Sequence, residues 1–301
     1  MPDLSINGLK NKDCGLAKCE SDFLFLDIFF VLVYNISIQK NEDSCKMLQK
    51  LKKHKFLFSE LVKRDFKKKY KGTIMGMGWS VLSPLLTLLI MRLVFTHFFG
   101  STIPHYTIYL FCGNIIFSYF RDSTTQGLEA LSANAQIFTK CNVPKYLFLI
   151  SKNVESLINF GITIVVLFVF CIIDQITFTW KFVLLVYPIL TVFLFSLGVG
   201  FILSALRIFY KDVSYLWRVF TLMLMYVSAI FYSVKTYPET IQKLFYMNPV
   251  YVYITYFRSI IIDGIIPSVW VHLLMLFYPL VVLTIGLLIY KKYNHRFLYY
   301  V

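Results

Sequence analysis

Residues that could carry out bond-making chemistry are few in this chain, and they are scattered. No phosphate-binding loop of the form GxxxxGK[ST] occurs, and the dipeptide Gly-Lys is absent. HExxH and GxSxG motifs are absent as well, and the six cysteines form no CxxC pair and no zinc-ligand spacing with histidine. We therefore predict no catalytic residues and no metal site, and a chain that does not hydrolyse ATP by itself.

The composition indicates an integral membrane protein. Of the 301 residues, 58% are hydrophobic and 15% are charged, and the mean hydropathy is +0.66. A soluble domain usually has about 25% charged residues. The net charge of +14 is concentrated between Lys46 and Lys71 and in short connectors between later apolar stretches, a distribution that sets membrane orientation.

The basic segment 52–71 predicts an amphipathic helix in the membrane interface. Its apolar face repeats at i, i+3 and i+4 and consists of Phe58, Leu61, Val62, Phe66 and Tyr70. Its cationic face would meet anionic lipid headgroups and consists of Lys63, Arg64, Lys67, Lys68 and Lys71. A solvated helix or a nucleic-acid patch is the alternative, which the direct fusion to an apolar stretch disfavours.

Six apolar stretches predict an all-α fold with six transmembrane helices. Each can cross a hydrocarbon core of about 30 Å at about 1.5 Å per residue, and their ranges are 76–99, 107–131, 153–173, 182–206, 213–233 and 269–290. The connectors rich in Lys and Arg alternate with nearly uncharged ones, so both chain termini are predicted to be cytoplasmic.

The chain is predicted to consist of three regions. Residues 1–46 are predicted to be a poorly ordered lead, or to precede a natural start at Met47, because MLQKLKKHKF opens the basic helix directly. Residues 47–75 are assigned to the interface helix and 76–301 to the membrane domain.

Two connectors have distinct patterns. The first, 132–152, suits a brief helix from Asn134 to Lys140 that ends before Pro144, and a plain loop is the alternative. The second, 233–267, contains an apolar run at 250–262 that is too short to cross once, so we expect it to dip into the outer leaflet and return.

Four sequence blocks carry a family resemblance: KRDFKKKYKGTIMGMGWSVLSPLL, SANAQIFTKCNVPKYL, RIFYKDVSYLW and YPETIQKLFYMNPVYVYITYFRSIIIDG. Their strongest positions are Tyr70, Lys71, Gly72, Gly78, Trp79, Ser80, Pro84, Asn134, Ala135, Phe138, Lys140, Pro144, Asn248, Pro249 and Arg258. In this order and spacing, residues 52–296 resemble the membrane subunit of type-2 ABC transporters that export polysaccharides such as O-antigen, teichoic acid and capsule.

The resemblance implies a homodimeric permease in the bacterial cytoplasmic membrane, with a separate ATP-binding subunit and no nucleic-acid partner. ATP and Mg would bind that subunit, so no cofactor is expected here, and the cargo would be a glycan on an undecaprenyl diphosphate lipid. The segment 237–264 would be an extracellular re-entrant helical hairpin. The coupling helix beneath the membrane would use Asn134, Ala135, Gln136, Phe138, Lys140 and Pro144. The interface helix would face the ATPase and the lipid headgroups through Lys63, Arg64, Lys67, Lys68, Tyr70 and Lys71.

Aromatic residues are the candidate lining of a translocation path. The chain has 30 Phe and 21 Tyr against four Trp, and aromatic rings stack on the apolar faces of sugars while Tyr hydroxyls can hydrogen-bond. The candidates are Tyr109, Phe117, Tyr119, Phe120, Tyr226 and Tyr232, and core or lipid packing is the alternative for each.

Charged residues inside the apolar stretches are costly in hydrocarbon, so Arg92, Arg121 and Asp122 are expected to face the protein interior, water or each other. Arg121 would hold a diphosphate or pair structurally with Asp122. Export of a drug, lipid or other small molecule is the alternative function. A membrane enzyme would need acidic or histidine clusters at a membrane face, and a scaffold would lack the coupling pattern.

Overall fold

A computed structural model describes residues 44–99, 103–140, 143–293 and 297, and the regular structure in these ranges is helical. The described residues from Met47 onward belong to one compact unit. Predictions made for residues 1–43 lie outside the described ranges.

The described residues form ten α-helices joined by short connections. In chain order they are α1 (Ser44–Tyr70), α2 (Trp79–Phe99), α3 (Tyr106–Ala133), α4 (Ala135–Lys140), α5 (Tyr146–Ile173), α6 (Val186–Phe209), α7 (Val213–Val227), α8 (Glu239–Phe245), α9 (Pro249–Ile261) and α10 (Val269–Tyr293). Short 3₁₀ segments occupy Gly76–Gly78, Trp180–Leu185 and Val234–Thr236.

Four helical segments of the described chain are long and apolar enough to cross a membrane, namely Trp79–His97, Tyr146–Ile173, Trp180–Phe209 and Val269–Tyr293. They correspond to the first, third, fourth and sixth predicted spans. Helix α3 has 28 residues but carries Arg121, Asp122 and Glu129 and is not among the four. The described chain is therefore that of an all-helical, multi-pass membrane protein, and crossings by α3 and α7 stay predictions.

Helix α7 ends earlier than the sequence pattern predicts. The predicted span runs to residue 233, but α7 stops at Val227 after 15 residues, about 22 Å of helix. Ala229 has a positive φ of 49°, a left-handed conformation that stops an α-helix. The apolar residues that follow Ala229 therefore form a turn, which hydropathy alone does not reveal.

The core follows α3, which packs against α5, α6 and α9. Ile108, Leu110 and Phe111 are completely buried. Helices α6 and α10 approach so closely that a Cβ at Gly198 would lie 2.7 Å from the backbone nitrogen of Leu283. Small residues at such crossings allow the close backbone contact on which membrane helix packing depends.

Helix α9 is an interior helix. Its 13 residues begin with Pro249 and are N-capped by Asn248, whose side chain accepts a hydrogen bond from the Val250 backbone at 3.0 Å. Tyr253, Tyr256 and most of its other residues are buried. The predicted run 250–262 is thus a helix, and at about 20 Å it is too short to cross the membrane.

Candidate functional site

Helix α1 is joined to the start of α4 by side-chain hydrogen bonds. Arg64 Nη2 donates to Asn134 Oδ1 at 2.8 Å, and the Asn134 amide donates to the Ala130 carbonyl at 2.8 Å. Asn134 is 3% exposed. The structure therefore brings together one predicted interface residue and one predicted coupling residue, 70 positions apart in sequence.

Asp65 extends this contact to α5. Its carboxylate accepts from Arg64 Nη2 at 2.7 Å on one oxygen and lies 3.2 Å from Lys152 Nζ through the other. The Asp65 side chain is 2% exposed and that of Lys152 is 18% exposed. A buried carboxylate between two cations ties α1 to α5, because removing either partner leaves uncompensated charge.

A second contact between α1 and α5 follows one turn later. Lys69 Nζ lies 3.7 Å from the Glu155 carboxylate, and the Tyr70 hydroxyl donates to Asn159 Oδ1. Burial raises the pKa of Tyr70, so its hydroxyl stays protonated and can donate. Together these residues form what we call the junction network: Arg64, Asp65, Lys69, Tyr70, Asn134, Lys152, Glu155 and Asn159.

The predicted interface residues divide into two groups. Arg64 and Tyr70 belong to the junction network. The other four, Lys63, Lys67, Lys68 and Lys71, are exposed. Lys63 pairs with Glu60 at 3.1 Å in an exposed i, i+3 contact, which adds little to stability.

Helix α4, Ala135–Lys140, covers the residues predicted for the coupling helix except Asn134, which precedes it. Gln136 is exposed, and Ala135 and Pro144 are half-buried. The backbones of Phe138 and Lys140 belong to α4, while their side chains lie outside the described part of the structure. The role of these residues in coupling stays a prediction.

A cavity of about 590 Å³, lined by both polar and apolar side chains, extends from the C-terminal end of α1 between α2, α3 and α5. Its lining includes Ser83, Thr87, Asn114, Ser118, Ser156 and Thr163. Ser156 and Thr163 lie about 15 Å and 25 Å along α5 from its first residue, so the polar lining reaches deep into the helical bundle. Polar groups within a membrane domain are costly unless they face a partner or water.

Three predicted path residues line this cavity: Tyr119, Arg121 and Asp122. Arg121 Nε donates to the Asp122 carboxylate at 3.0 Å, which is the structural pairing foreseen as one alternative for Arg121. The Tyr119 hydroxyl donates to the buried Asn153 side chain, so its ring rather than its hydroxyl is turned to the cavity.

The remaining path candidates lie elsewhere. Phe117 and Phe120 are each 2% exposed, and Phe120 stacks on Phe195 with ring centroids 5.6 Å apart. They are packing residues in this conformation, because each fills the contact between α3 and its neighbours. Arg92, expected to face the protein interior, water or another charge, is exposed on α2 within the single chain.

Tyr109, Tyr226 and Tyr232 meet near the turn after α7. The Tyr109 hydroxyl donates to the Tyr232 carbonyl at 2.7 Å, and the Tyr232 hydroxyl donates to the Tyr226 carbonyl at 3.0 Å. The predicted path residues thus separate into a cavity group, two packing residues and a turn group.

Arg258 organises the turn group. Its guanidinium donates to the carbonyls of Ala229 at 2.9 Å, Ile230 at 2.8 Å and Tyr109 at 3.2 Å, and lies 3.4 Å from the centroid of the Tyr109 ring. No carboxylate neutralises it among the hydrogen bonds and ion pairs of the described residues. Backbone carbonyls and an aromatic face replace the missing counter-charge.

The sequence profile of the family described as "ABC-2 type transporter" matches residues 57–262, which is more than half of the chain. This chain belongs to the ABC-2 type transporter family. The match covers the junction network, the cavity and Arg258.

Relatives of this ABC-2 type transporter chain include an "O-antigen export system permease protein RfbA" of Klebsiella pneumoniae. It is 27% identical over 251 residues, which is 80% of this chain and 95% of the relative. The protein of the same name from Myxococcus xanthus is 24% identical over 225 residues, 74% of this chain and 86% of the relative. The "Polysialic acid transport protein KpsM" of Escherichia coli is 22% identical over 232 residues, 76% and 90% respectively.

Sequence reasoning missed five junction-network residues of this ABC-2 type transporter chain: Asp65, Lys69, Lys152, Glu155 and Asn159. Asp65 stands four residues after Leu61, on the apolar stripe of α1, and an acid in that position signals a buried partner. Lys152 and Glu155 are i, i+3 neighbours at the start of a predicted span, which also signals a polar contact. The described residues contain no group of three or more His, Cys, Asp and Glu that could hold a metal.

Proposed function

We propose that this chain is the permease subunit of an ATP-driven exporter that moves a lipid-linked polysaccharide across the cytoplasmic membrane. The observation that carries the proposal is the match, over at least 86% of their length, to relatives named for O-antigen export and polysialic acid transport. Those names favour a glycan over a drug or other small-molecule cargo.

The energy would come from a separate ATP-binding subunit. This proposal is supported by the absence of a phosphate-binding loop from the sequence and by membership of the ABC-2 family. Helix α4 would sit against that subunit, and Arg64 and Asn134 would pass its movement to α1. Two copies of the chain would form the path between them, with both termini in the cytoplasm.

Deletion and complementation test the cargo. In the native host, deletion of the gene should remove the glycan from the cell surface and leave it inside the cell on its lipid carrier, which is measured with an impermeant lectin and by lipid extraction. The complete gene should restore the surface signal. Unchanged surface glycan in the deletion strain would contradict the proposal.

Co-purification tests the ATP-binding partner. A tagged chain expressed with its neighbouring genes should bring down vanadate-sensitive ATPase activity, and Gln136→Glu in α4 should reduce that activity while the amount of permease stays constant. Thr284→Ala, on an exposed face of α10, is the control because it lies on a different helix. Equal ATPase activity in both variants would contradict the coupling role of α4.

A further inference from the structure

The cavity between α2, α3 and α5 combines many neutral polar groups with little free charge. Arg121 is paired with Asp122 at 3.0 Å, and Lys69 is paired with Glu155 at 3.7 Å. A bare phosphate is best bound by cations that are free to form charge-assisted hydrogen bonds. Hydroxyl and amide groups, in contrast, match the donors and acceptors of an uncharged polyhydroxyl ligand.

Ser156 adds a buried polar atom without a partner. The residue is 4% exposed, it lines the cavity, and its Oγ has no hydrogen-bond partner among the described residues. By comparison, Ser151, five positions earlier on the same helix, donates to the Phe148 carbonyl at 3.0 Å. Leaving a buried hydroxyl unpaired costs free energy, and a ligand hydroxyl that reached the Ser156 Oγ through the cavity wall would offset that cost.

Aromatic rings complete the lining. Tyr70, Trp79, Tyr119 and Phe160 border the cavity, and the rings of Tyr119 and Phe160 lie 4.8 Å apart. A sugar ring has an apolar face and a polar edge, and aromatic side chains beside hydroxyl and amide groups bind both.

We propose that this cavity is a binding subsite for one or two uncharged sugar residues, formed within a single chain. The inference rests on the proposed function, because it takes the cargo to be a glycan. It adds that the permease recognises sugar units directly at a depth of about 15 to 25 Å along α5, through Ser156 and its polar neighbours rather than through a cation.

Saturation-transfer NMR on the full chain in nanodiscs tests the subsite. The probes are methyl α-D-mannoside, methyl β-D-galactoside, methyl N-acetyl-β-D-glucosaminide and, as the anionic arm, inorganic pyrophosphate. At least one glycoside should bind. Ser156→Ala should lower the affinity for that glycoside about three- to ten-fold, which is the effect of losing one hydrogen bond to a neutral group. Pyrophosphate should not compete with the glycoside.

Two matched controls separate binding from packing. Ser196 on α6 is also buried with an unpaired Oγ among the described residues, but it does not line the cavity, so Ser196→Ala should leave glycoside binding unchanged. Thr87→Leu places a larger apolar group in the cavity wall and should abolish binding. Thr284→Leu is its control, because the hydroxyls of Thr87 and Thr284 each donate to a carbonyl four residues earlier. This variant should leave glycoside binding unchanged.

The outcomes also distinguish a failure of the subsite proposal from a failure of the proposed function. If the wild-type gene restores surface glycan but no glycoside binds, or if Ser156→Ala and Thr87→Leu bind like their controls, the subsite is wrong and the export function stands. Competition by pyrophosphate would likewise overturn an uncharged sugar site. If the deletion strain keeps its surface glycan, the export function itself is wrong.

Discussion

At the residue scale, Arg258 carries a charge that no acid neutralises within the described chain. It is 6% exposed and donates to three backbone carbonyls in the turn after α7 and in α3. We predict that Arg258→Leu lowers the free energy of unfolding by about 2 to 4 kcal/mol, because it leaves buried carbonyls without donors. Thermal unfolding of the purified chain measures this.

Arg92→Leu is the matched control for Arg258, since Arg92 is exposed on α2 and its loss should change the midpoint little. Arg258→Lys should give an intermediate loss, because an ammonium group lacks the planar fork that reaches several carbonyls at once. Equal unfolding midpoints for Arg258→Leu and Arg92→Leu would show that the carbonyl contacts contribute nothing.

At the element scale, the junction network determines how firmly α1 is held against α5. Asp65→Ala removes the carboxylate between Arg64 and Lys152, and breaking such a buried pair costs about 3 kcal/mol. Since about 1.4 kcal/mol corresponds to a factor of ten, amide hydrogens of residues 57–70 should exchange about 100-fold faster. Hydrogen exchange followed by mass spectrometry measures this.

Lys63→Ala provides the comparison for Asp65→Ala. Lys63 forms an ion pair in the same helix, but the two side chains are 62% and 51% exposed, so its loss should leave exchange nearly unchanged. If Asp65→Ala and Lys63→Ala exchange alike, α1 is held by its apolar face alone.

At the scale of the whole molecule, the number of membrane crossings decides which connectors face the cytoplasm. With six crossings, Gln136 and Lys211 are cytoplasmic and Gln175 is outside. With only the four segments that qualify by length and composition, all three would lie on the opposite sides. All three residues are exposed, so each suits labelling.

Single cysteines at these positions, in a chain whose six native cysteines are replaced by serine, discriminate the two topologies. We predict that an impermeant maleimide labels Gln175→Cys in intact cells, and labels Gln136→Cys and Lys211→Cys only after permeabilisation. The reverse pattern would establish four crossings and contradict a cytoplasmic coupling role for α4.

Much of this architecture could be predicted from local sequence. Hydropathy placed the helices near their observed positions because the long apolar runs are recognisable without their neighbours. The basic helix could be predicted from its i, i+3 and i+4 periodicity, the short helix from its position before Pro144, and the helix at 250–262 from its short apolar run. The early end of α7 could not, because the left-handed conformation of Ala229 is held by Arg258, which lies 29 positions away.

The candidate site was only partly predictable. Arg64 and Asn134 were separate candidates in the sequence. Their direct contact depends on how α1 packs against the start of α4, and the sequence spacing of 70 residues does not reveal it. The aromatic path residues looked alike in the sequence, yet two of them are packing residues and three surround a turn.

The amino-acid sequence by itself therefore determined the membrane class, the position of nearly every helix and the family, because hydrophobicity, charge bias and motif order are properties of neighbouring residues. Only the tertiary structure decided which charges are paired between helices, which aromatic rings are buried, and that Ser156 lines a cavity. Those facts depend on contacts between helices distant in sequence. A local pattern such as Asp65 on the apolar stripe of α1 signals that a partner exists, but it does not say which residue the partner is.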